Sequence, residues 1–324
     1  MPKEFIAVVG ATASGKSAVA MSLAQKLDGE IVSFDSMQIY RGMDVGTAKP
    51  TMEDRTLVRH HLIDIVSPDE DFSAGDFCVA AKRAIDDITA RGKYPILCGG
   101  TFLYLDSLTS SYTENDSERD DALREELAKF AAVNGNAALH GMLREIDPTA
   151  ADGIHENNVK RVIRAIEIFK TSGRTKTEWD ALSKEMPPPY DVHIGAIGYR
   201  DRTVLYDRID RRVDEMMREG LAEEAERLFK AGFFEKGKCA AQAIGYKEFA
   251  PYFAKETTLD ETCDMIKQST RNYAKRQLTW LKRYKDAVTV FPDENAPKLL
   301  SPDEIAERII EGFAERSVRL GGKK

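Results

Sequence analysis

Residues 10–17 read GATASGKS and follow the short apolar run Phe5 to Val9. No other stretch restricts the possible folds so strongly, because G-x-x-x-x-G-K-S between a strand and a helix requires a chain that wraps backbone N–H groups around an anion. The glycines let the backbone approach, the N-terminus of the following helix adds positive potential, Lys16 neutralises charge, and the Ser17 hydroxyl suits Mg2+. Candidate anion-binding residues are therefore Gly10, Ala11, Thr12, Ala13, Ser14, Gly15, Lys16 and Ser17, with Ser17 also a candidate Mg2+ ligand. The motif specifies an anion and not a reaction, since kinases, ATPases and other transferases share it.

The surrounding pattern alternates. Ala18 to Leu27 has helical spacing through Val19, Leu23 and Leu27, Glu30 to Phe34 reads as a strand, Asp76 to Arg91 as a helix stopped by Gly92, and Tyr94 to Cys98 as a strand ending in Gly99-Gly100. Strand and helix in turn predict a parallel sheet with sites at the carboxyl ends of its strands. From Asn115 to Glu185 only helical patterns occur, closed by Pro187-Pro188-Pro189. His193 to Gly198 reads as a return strand. Helices over Arg202–Glu219, Leu221–Lys230 and Leu259–Lys285 lead to a last strand, Ala287 to Phe291, and a C-terminal helix. The expected fold is α/β: a P-loop NTPase-like parallel sheet flanked by helices, residues 1–114 and 190–324, interrupted by an all-helical insertion domain, residues 115–189.

At 324 residues, 42% hydrophobic and 31% charged, the composition is that of a globular protein. No stretch approaches the roughly 20 apolar residues of a membrane span, and the N-terminus carries no signal-peptide pattern, so no membrane association and a cytoplasmic location are expected. Cys78, Cys98, Cys239 and Cys263 are too scattered to suggest a zinc knuckle or a disulfide framework. A net charge of -7 argues against nonspecific coating of nucleic acid, which shifts attention to local cations. Two segments break the acidic average. Arg271 to Lys285 puts Arg271, Lys275 and Lys282 on one helical face and Tyr273, Trp280 and Tyr284 on another, either for stacking on bases or as a core stripe. Asn157 to Lys176 presents Lys160, Arg161, Arg164, Lys170, Arg174 and Lys176 against Glu167 alone, with Val159, Val162, Ile163, Ile166 and Phe169 as the buried stripe and the cations outward.

The second strand end reads FDSMQIYRGMDVGTAKP and places Asp35, Ser36 and Gln38 beside the phosphate loop, with Arg41 and Lys49 near enough to guide an anion. Asp35 fits either a Mg2+-holding acid or a general base. Thr101, in CGGT, fits a hydroxyl that bonds a phosphate or a reacting group, or a cap for the helix starting at Phe102. Arg208, in RIDRR, has Asp207, Asp210 and Asp214 as alternative surface partners.

GATASGKS, DSMQIYRGMDVGTAKP, HHLIDI, GGTFLYL, NNVKRVIRAIE, RIDRRVDEMMREGL, AIGYKE and STRNYAKRQLTWL occur in the order seen in tRNA dimethylallyltransferases, and from roughly residue 5 to 291 the chain resembles that family in its bacterial form. The resemblance implies transfer of a dimethylallyl group from its diphosphate to the N6 amine of the adenosine 3′-adjacent to the anticodon in tRNA, with release of pyrophosphate. It implies that the loop holds the donor's diphosphate, that Asp35 is the general base, and that Thr101 contacts the reacting groups while Arg208 is directed at the diphosphate. For the RNA it implies Asp35, Ser36, Met37, Gln38 and Thr101 around the target adenosine. Arg124, Lys160, Arg161 and Arg164 in the insertion would lie on the anticodon stem-loop, and Arg271 and Lys275 on the backbone. A monomer with Mg2+ as cofactor is expected. The chain departs from the family pattern at Ala11 (usually proline), at Phe102 (usually glycine), where a ring would narrow the prenyl site, and at Glu156 (often proline). Prenylation of free adenine nucleotides, a small-molecule kinase with ATP in the loop, and a nucleotide-switched RNA-binding module are the competing readings.

Overall fold

The computed structural model describes residues 3–110, 119–233 and 239–316. By its internal contacts the chain forms two compact units: Lys3–Leu108 together with the chain from Tyr190 onward, and Thr109–Pro189. The expected junction at residues 114/115 lies outside the described residues.

The first unit is built on a six-stranded, wholly parallel sheet: β1 (Lys3–Gly10), β2 (Gly29–Ser33), β3 (His60–His61), β4 (Tyr94–Gly99), β5 (Tyr190–Ile197) and β6 (Val288–Val290), in the order β3-β2-β4-β1-β5-β6. The strand before the phosphate loop is central, with Val8 level with Cys98 on one side and Gly195 on the other. It is covered on both faces, which is why its sequence is a continuous apolar run. Phe5, Ala7 and Val9 pack with Phe77, Ile85 and Leu105, while Ile6 and Val8 pack with Val19, Leu23 and Ile309. The second face is closed by α1 (Lys16–Leu27) and the helix Pro302–Glu315. Beyond a short α2 (Met52–Leu57), α3 (Ala74–Ala90) and α4 (Phe102–Thr109) close the first. Capping explains why α3 starts two residues before Asp76, since the Ser73 hydroxyl accepts from the Asp76 N–H at 3.2 Å and the Asp76 carboxylate accepts from the Ser73 N–H at 2.9 Å. Neither β3 nor α2 is legible beforehand, because a strand of two residues shows no alternation.

The second unit is helical: α5 (Asp121–Asn134), α6 (Asn136–Ile146), α7 (Pro148–Gly153), α8 (Val159–Ser172) and α9 (Lys176–Glu185), around Leu127, Leu139, Leu143, Val162 and Ile166. Two buried acids hold it. Asp147 caps α7 through the Ala150 N–H at 3.0 Å and accepts from the N–H and hydroxyl of Thr177, at 2.9 and 2.7 Å, at the start of α9. Glu167, fully buried on α8, takes both forks of Arg124 at 2.8 Å, the Asp120 N–H at 2.8 Å and Arg164 at 2.6 Å. Burial alone would raise its carboxyl, but Arg124, then Arg164, outweigh that and hold it below the usual range.

Back in the first unit, α10 (Arg202–Arg218), α11 (Leu221–Lys230) and the helix Leu259–Leu281 pack on the loop after β2 around Tyr40, Met43, Val213, Tyr246 and Phe249. This third core forms one wall of the site.

Candidate active site

The phosphate loop has the backbone its glycines demand. Gly15 caps α1 at φ +93°, a left-handed conformation that side chains resist, and a Cβ at Gly10 would stand 2.6 Å from the Ser14 hydroxyl. Two long-range contacts fix the loop. The buried Gln277 amide accepts from the Thr12 N–H at 2.7 Å and donates to the Gly100 carbonyl at 2.9 Å, while Arg208 Nε donates to the Ala13 carbonyl at 2.9 Å. Arg208 therefore lies against the loop, and the acids that might have claimed it pair elsewhere, Asp210 with Arg271 and Asp214 with Lys267. Ala11, where the family's proline would stand, is buried against Leu205, Ile209 and Ala274.

Beside the loop is a cavity of about 290 Å3. Its lining combines Lys16, Ser17, Asp35 and Arg212 with the apolar side chains of Ile209, Val213, Met216, Ala243, Ile244 and Ile266. A neighbouring recess of about 430 Å3 shares Lys16, Ser17 and Arg212 and adds Arg208 and Arg211. Burial pushes the Lys16 ammonium below its ordinary range, and likewise the Arg212 guanidinium, with Asp35 acting against both shifts. Two recessed cations with lowered affinity for their own protons are poised for a polyanion, whose charge would reverse the penalty. Cys98, beneath the loop and hydrogen-bonded to Ser17, is pushed up to about 11 by burial and stays a thiol.

At the rim, an Asp35 Oδ1 accepts from the Met37 N–H at 2.9 Å, which fixes the carboxylate while leaving it on the cavity wall. The Thr101 hydroxyl does not cap α4. It accepts from the Ser36 N–H at 3.0 Å and donates to the Ser36 hydroxyl at 3.2 Å; next to it the Tyr273 hydroxyl donates to the Gly100 carbonyl at 3.1 Å, and burial raises that phenol far above its usual range, with Asp35 adding to the shift. Thr101 thus ties the ends of β2 and β4 together behind Asp35.

Several expected site residues are placed differently. Gln38 lines the cavity, but its amide N donates to the carbonyls of Thr47 and Ala48 at 3.2 and 3.3 Å and its amide O accepts from Ser33 at 3.0 Å, so its adenine-pairing edge is already engaged. Lys49 does not face an anion site: it is buried on Asp44 at 2.8 Å and Asp64 at 2.5 Å. Arg41 is turned onto the Asp64 and Ile65 carbonyls. Phe102 is absent from the cavity wall and stacks in the core with Trp280, centroids 6.3 Å apart. Trp280 and Tyr284 are not free for bases, since both bond Asp106, at 3.0 and 2.5 Å. Arg271 pairs with Asp210 at 2.6 Å, whereas Lys275 is exposed. In the insertion, Arg124 and Arg164 turn inward to Glu167, while Lys160 and Arg161 are exposed, as is Glu156.

Other residues, not singled out by any motif, line or shape the cavity. Arg212 stands four residues after Arg208, on the same helical face, and that spacing was the available signal. Arg276 and Lys247 line the cavity, Arg276 lying 5.6 Å above the Tyr273 ring. Glu224 accepts from three successive N–H groups, Asp44 at 2.9 Å and Val45 and Gly46 at 3.1 Å, and from the Tyr246 hydroxyl at 2.6 Å, shaping the loop that holds Gln38. Nothing in AEEAERL distinguishes that acid from its neighbours.

A phosphate loop at the end of a central parallel strand, opening on a half-apolar cavity with a carboxylate at its rim, defines a group transferase of the phosphate-loop α/β class more readily than a simple nucleotidase. The family model described as IPP transferase matches residues 38–284, and the chain belongs to that family. A tRNA dimethylallyltransferase of Halalkalibacterium halodurans is 48% identical over 293 residues, 90% of this chain and 91% of that protein. The crystal structure of a tRNA isopentenylpyrophosphate transferase from Bacillus halodurans overlays with a TM-score of 0.68 at 41% identity, covering 98% of each chain. A eukaryotic dimethylallyltransferase acting on tRNA overlays at 0.83 with 28% identity, covering 99% of this chain and 81% of the other.

Proposed function

We propose that the protein transfers a dimethylallyl group from dimethylallyl diphosphate to the N6 amine of the adenosine next to the anticodon in tRNA. The observation that carries this reading is the mixed lining of the cavity: phosphate-loop residues with Lys16 and Arg212, the Asp35 carboxylate, and the aliphatic side chains of Ile209, Val213, Met216 and Ile266. A five-carbon allylic chain has only apolar surface to bury beyond its diphosphate, and such a lining suits it. The diphosphate sits on the loop with Lys16, Arg208 and Arg212 around it, and the prenyl chain lies along the apolar wall. As the allylic C–O bond breaks, its electron pair leaves with the diphosphate. Donors already aimed at the leaving oxygens, in a site shielded from water, stabilise that charge without reorganisation. The N6 lone pair forms the new C–N bond, and the proton lost from nitrogen goes to the Asp35 carboxylate, held in place by the Met37 N–H.

The Ser17 hydroxyl on the cavity wall fits Mg2+, being a hard oxygen ligand at the phosphate loop. When held there, the ion would supply further neutralisation of the leaving group. An adenine stacked within the anticodon loop must swing out to reach Asp35, and the exposed cations Arg276 and Lys247 at the cavity, with Lys275 beside them, suit the approaching backbone. Incubation with labelled dimethylallyl diphosphate and unmodified tRNA tests the reading. Label should move to RNA in a one-to-one ratio with pyrophosphate release. Turnover of ATP in the same preparation without transfer of label would replace the reading with a kinase.

A further inference from the structure

The amino edge of the sheet, opposite the edge that carries the phosphate loop, gathers groups that the transfer chemistry does not use. In the β1–β5 pair, Glu4 stands level with Asp191 and Ile6 with His193. Parallel pairing at these positions puts the Glu4, Asp191 and His193 side chains on one face. The His193 ring packs there against Phe313, 5.7 Å between centroids. Its Nε2 is 3.8 Å from a Glu4 carboxylate oxygen and its Nδ1 is 3.9 Å from an Asp191 oxygen. These separations are too long for direct hydrogen bonds between the ring and the two carboxylates. One donor atom from each of the three residues lies within 4.8 Å of the other two.

Two independent observations point to a ligand. The His193 side chain is only 10% exposed, and its Nε2 is buried with no hydrogen-bond partner. Tyr94, the first residue of β4, is 6% exposed, its hydroxyl is likewise buried without a partner, and Glu4 and Asp191 are the charges acting on it. Buried polar atoms in folded proteins are nearly always satisfied. An imidazole nitrogen and two carboxylate oxygens within 4.8 Å of one another suit a cation that accepts nitrogen as well as oxygen.

We propose that Glu4, Asp191 and His193 bind one divalent transition-metal ion of the zinc type, through one ring nitrogen and one oxygen of each carboxylate. Hard cations such as Mg2+ and Ca2+ prefer all-oxygen sites, whereas Zn2+ and Co2+ take this mixed set. Ligand bonds of about 2.0–2.2 Å require the three donors to close by about 1 Å from their present spread, a movement within rotamer adjustment. The Tyr94 hydroxyl is placed to donate to a ligating carboxylate, the kind of outer partner that fixes ligand orientation. The ion would fasten the start of β5 to the start of β1.

The test is titration of the full chain, stripped with a chelator and desalted, with Zn2+ by calorimetry and with Co2+ by visible absorption. The expected result is one ion per chain with a dissociation constant below about 100 µM and Co2+ ligand-field bands. His193→Ala and Glu4→Gln should each weaken binding at least about tenfold, while Ser17→Ala should bind Zn2+ as the parent does. Glu4 is partly exposed, so Glu4→Gln remains informative if His193→Ala does not fold. Absence of binding up to about 100 µM, or undiminished binding in both variants, overturns the proposal.

Discussion

Arg212 lies one helical turn beyond Arg208 and is recessed beside the phosphate loop. Arg208 stands out in the sequence because the resemblance selects it, yet Arg212 is the residue that lines both the cavity and the adjoining recess and that Asp35 faces. Its recess lowers the guanidinium's hold on its proton, so an arriving diphosphate gains an interaction with a cation that water no longer screens. Arg212→Ala should weaken pyrophosphate binding by about 1.5–3 kcal/mol, a loss of tenfold or more by calorimetry. Arg212→Lys should recover only part, because an ammonium cannot offer two parallel donors. Equal pyrophosphate affinity in parent and Arg212→Ala would remove this residue from the anion site. Gln38, by contrast, was chosen on chemistry that is correct for a free amide, and its edge is consumed by Thr47 and Ala48. Side-chain satisfaction by backbone some ten residues away has no periodicity to announce it.

At the scale of elements, the strands and long helices of the first unit were legible because burial on both faces and amphipathic spacing leave patterns. The two-residue β3 and the short α2 leave none. The basic helix α8 shows the limit of charge counting. Its one acid, Glu167, is the fully buried centre to which Arg124 and Arg164 turn, so two of the cations are structural. Removing either would strand a buried carboxylate and destabilise the helical unit whatever its effect on RNA. Lys160 and Arg161 are exposed and avoid that confusion. The double variant Lys160→Ala/Arg161→Ala should lower tRNA affinity most at low salt, and its log–log salt slope should be shallower by about 1 to 2. A slope identical to the parent's would take this face of the insertion out of the RNA site.

For the molecule as a whole, the sheet and its phosphate loop are held by polar ties far from the chemistry. Glu30 on β2 is one: Arg91 at the end of α3 donates to it at 2.8 Å and through a second, shorter contact, and His61 on β3 lies 2.7 Å away. Arg91 first, then His61, hold the Glu30 carboxyl at about 2 against the penalty of burial, down from 4.5. A folded-state value below the unfolded one means stability that is present above pH 4.5 and lost as pH falls toward 2. Acid unfolding of the parent should therefore include a component of about 2 kcal/mol in that window, discounted for the partial exposure of Arg91. In Glu30→Gln it should be missing, with unchanged pH dependence between the two proteins counting against the tie. These ties leave the carboxyl edge free for function, and the central claim concerns that edge: the loop carries away the diphosphate while Asp35 takes the proton from N6. The most direct measurement is the single-turnover rate of prenyl transfer in Asp35→Asn, which keeps an oxygen to accept the Met37 N–H. The account predicts a rate lower by about 10²- to 10⁴-fold, with tRNA and pyrophosphate affinities close to those of the parent; a rate matching the parent's would contradict it.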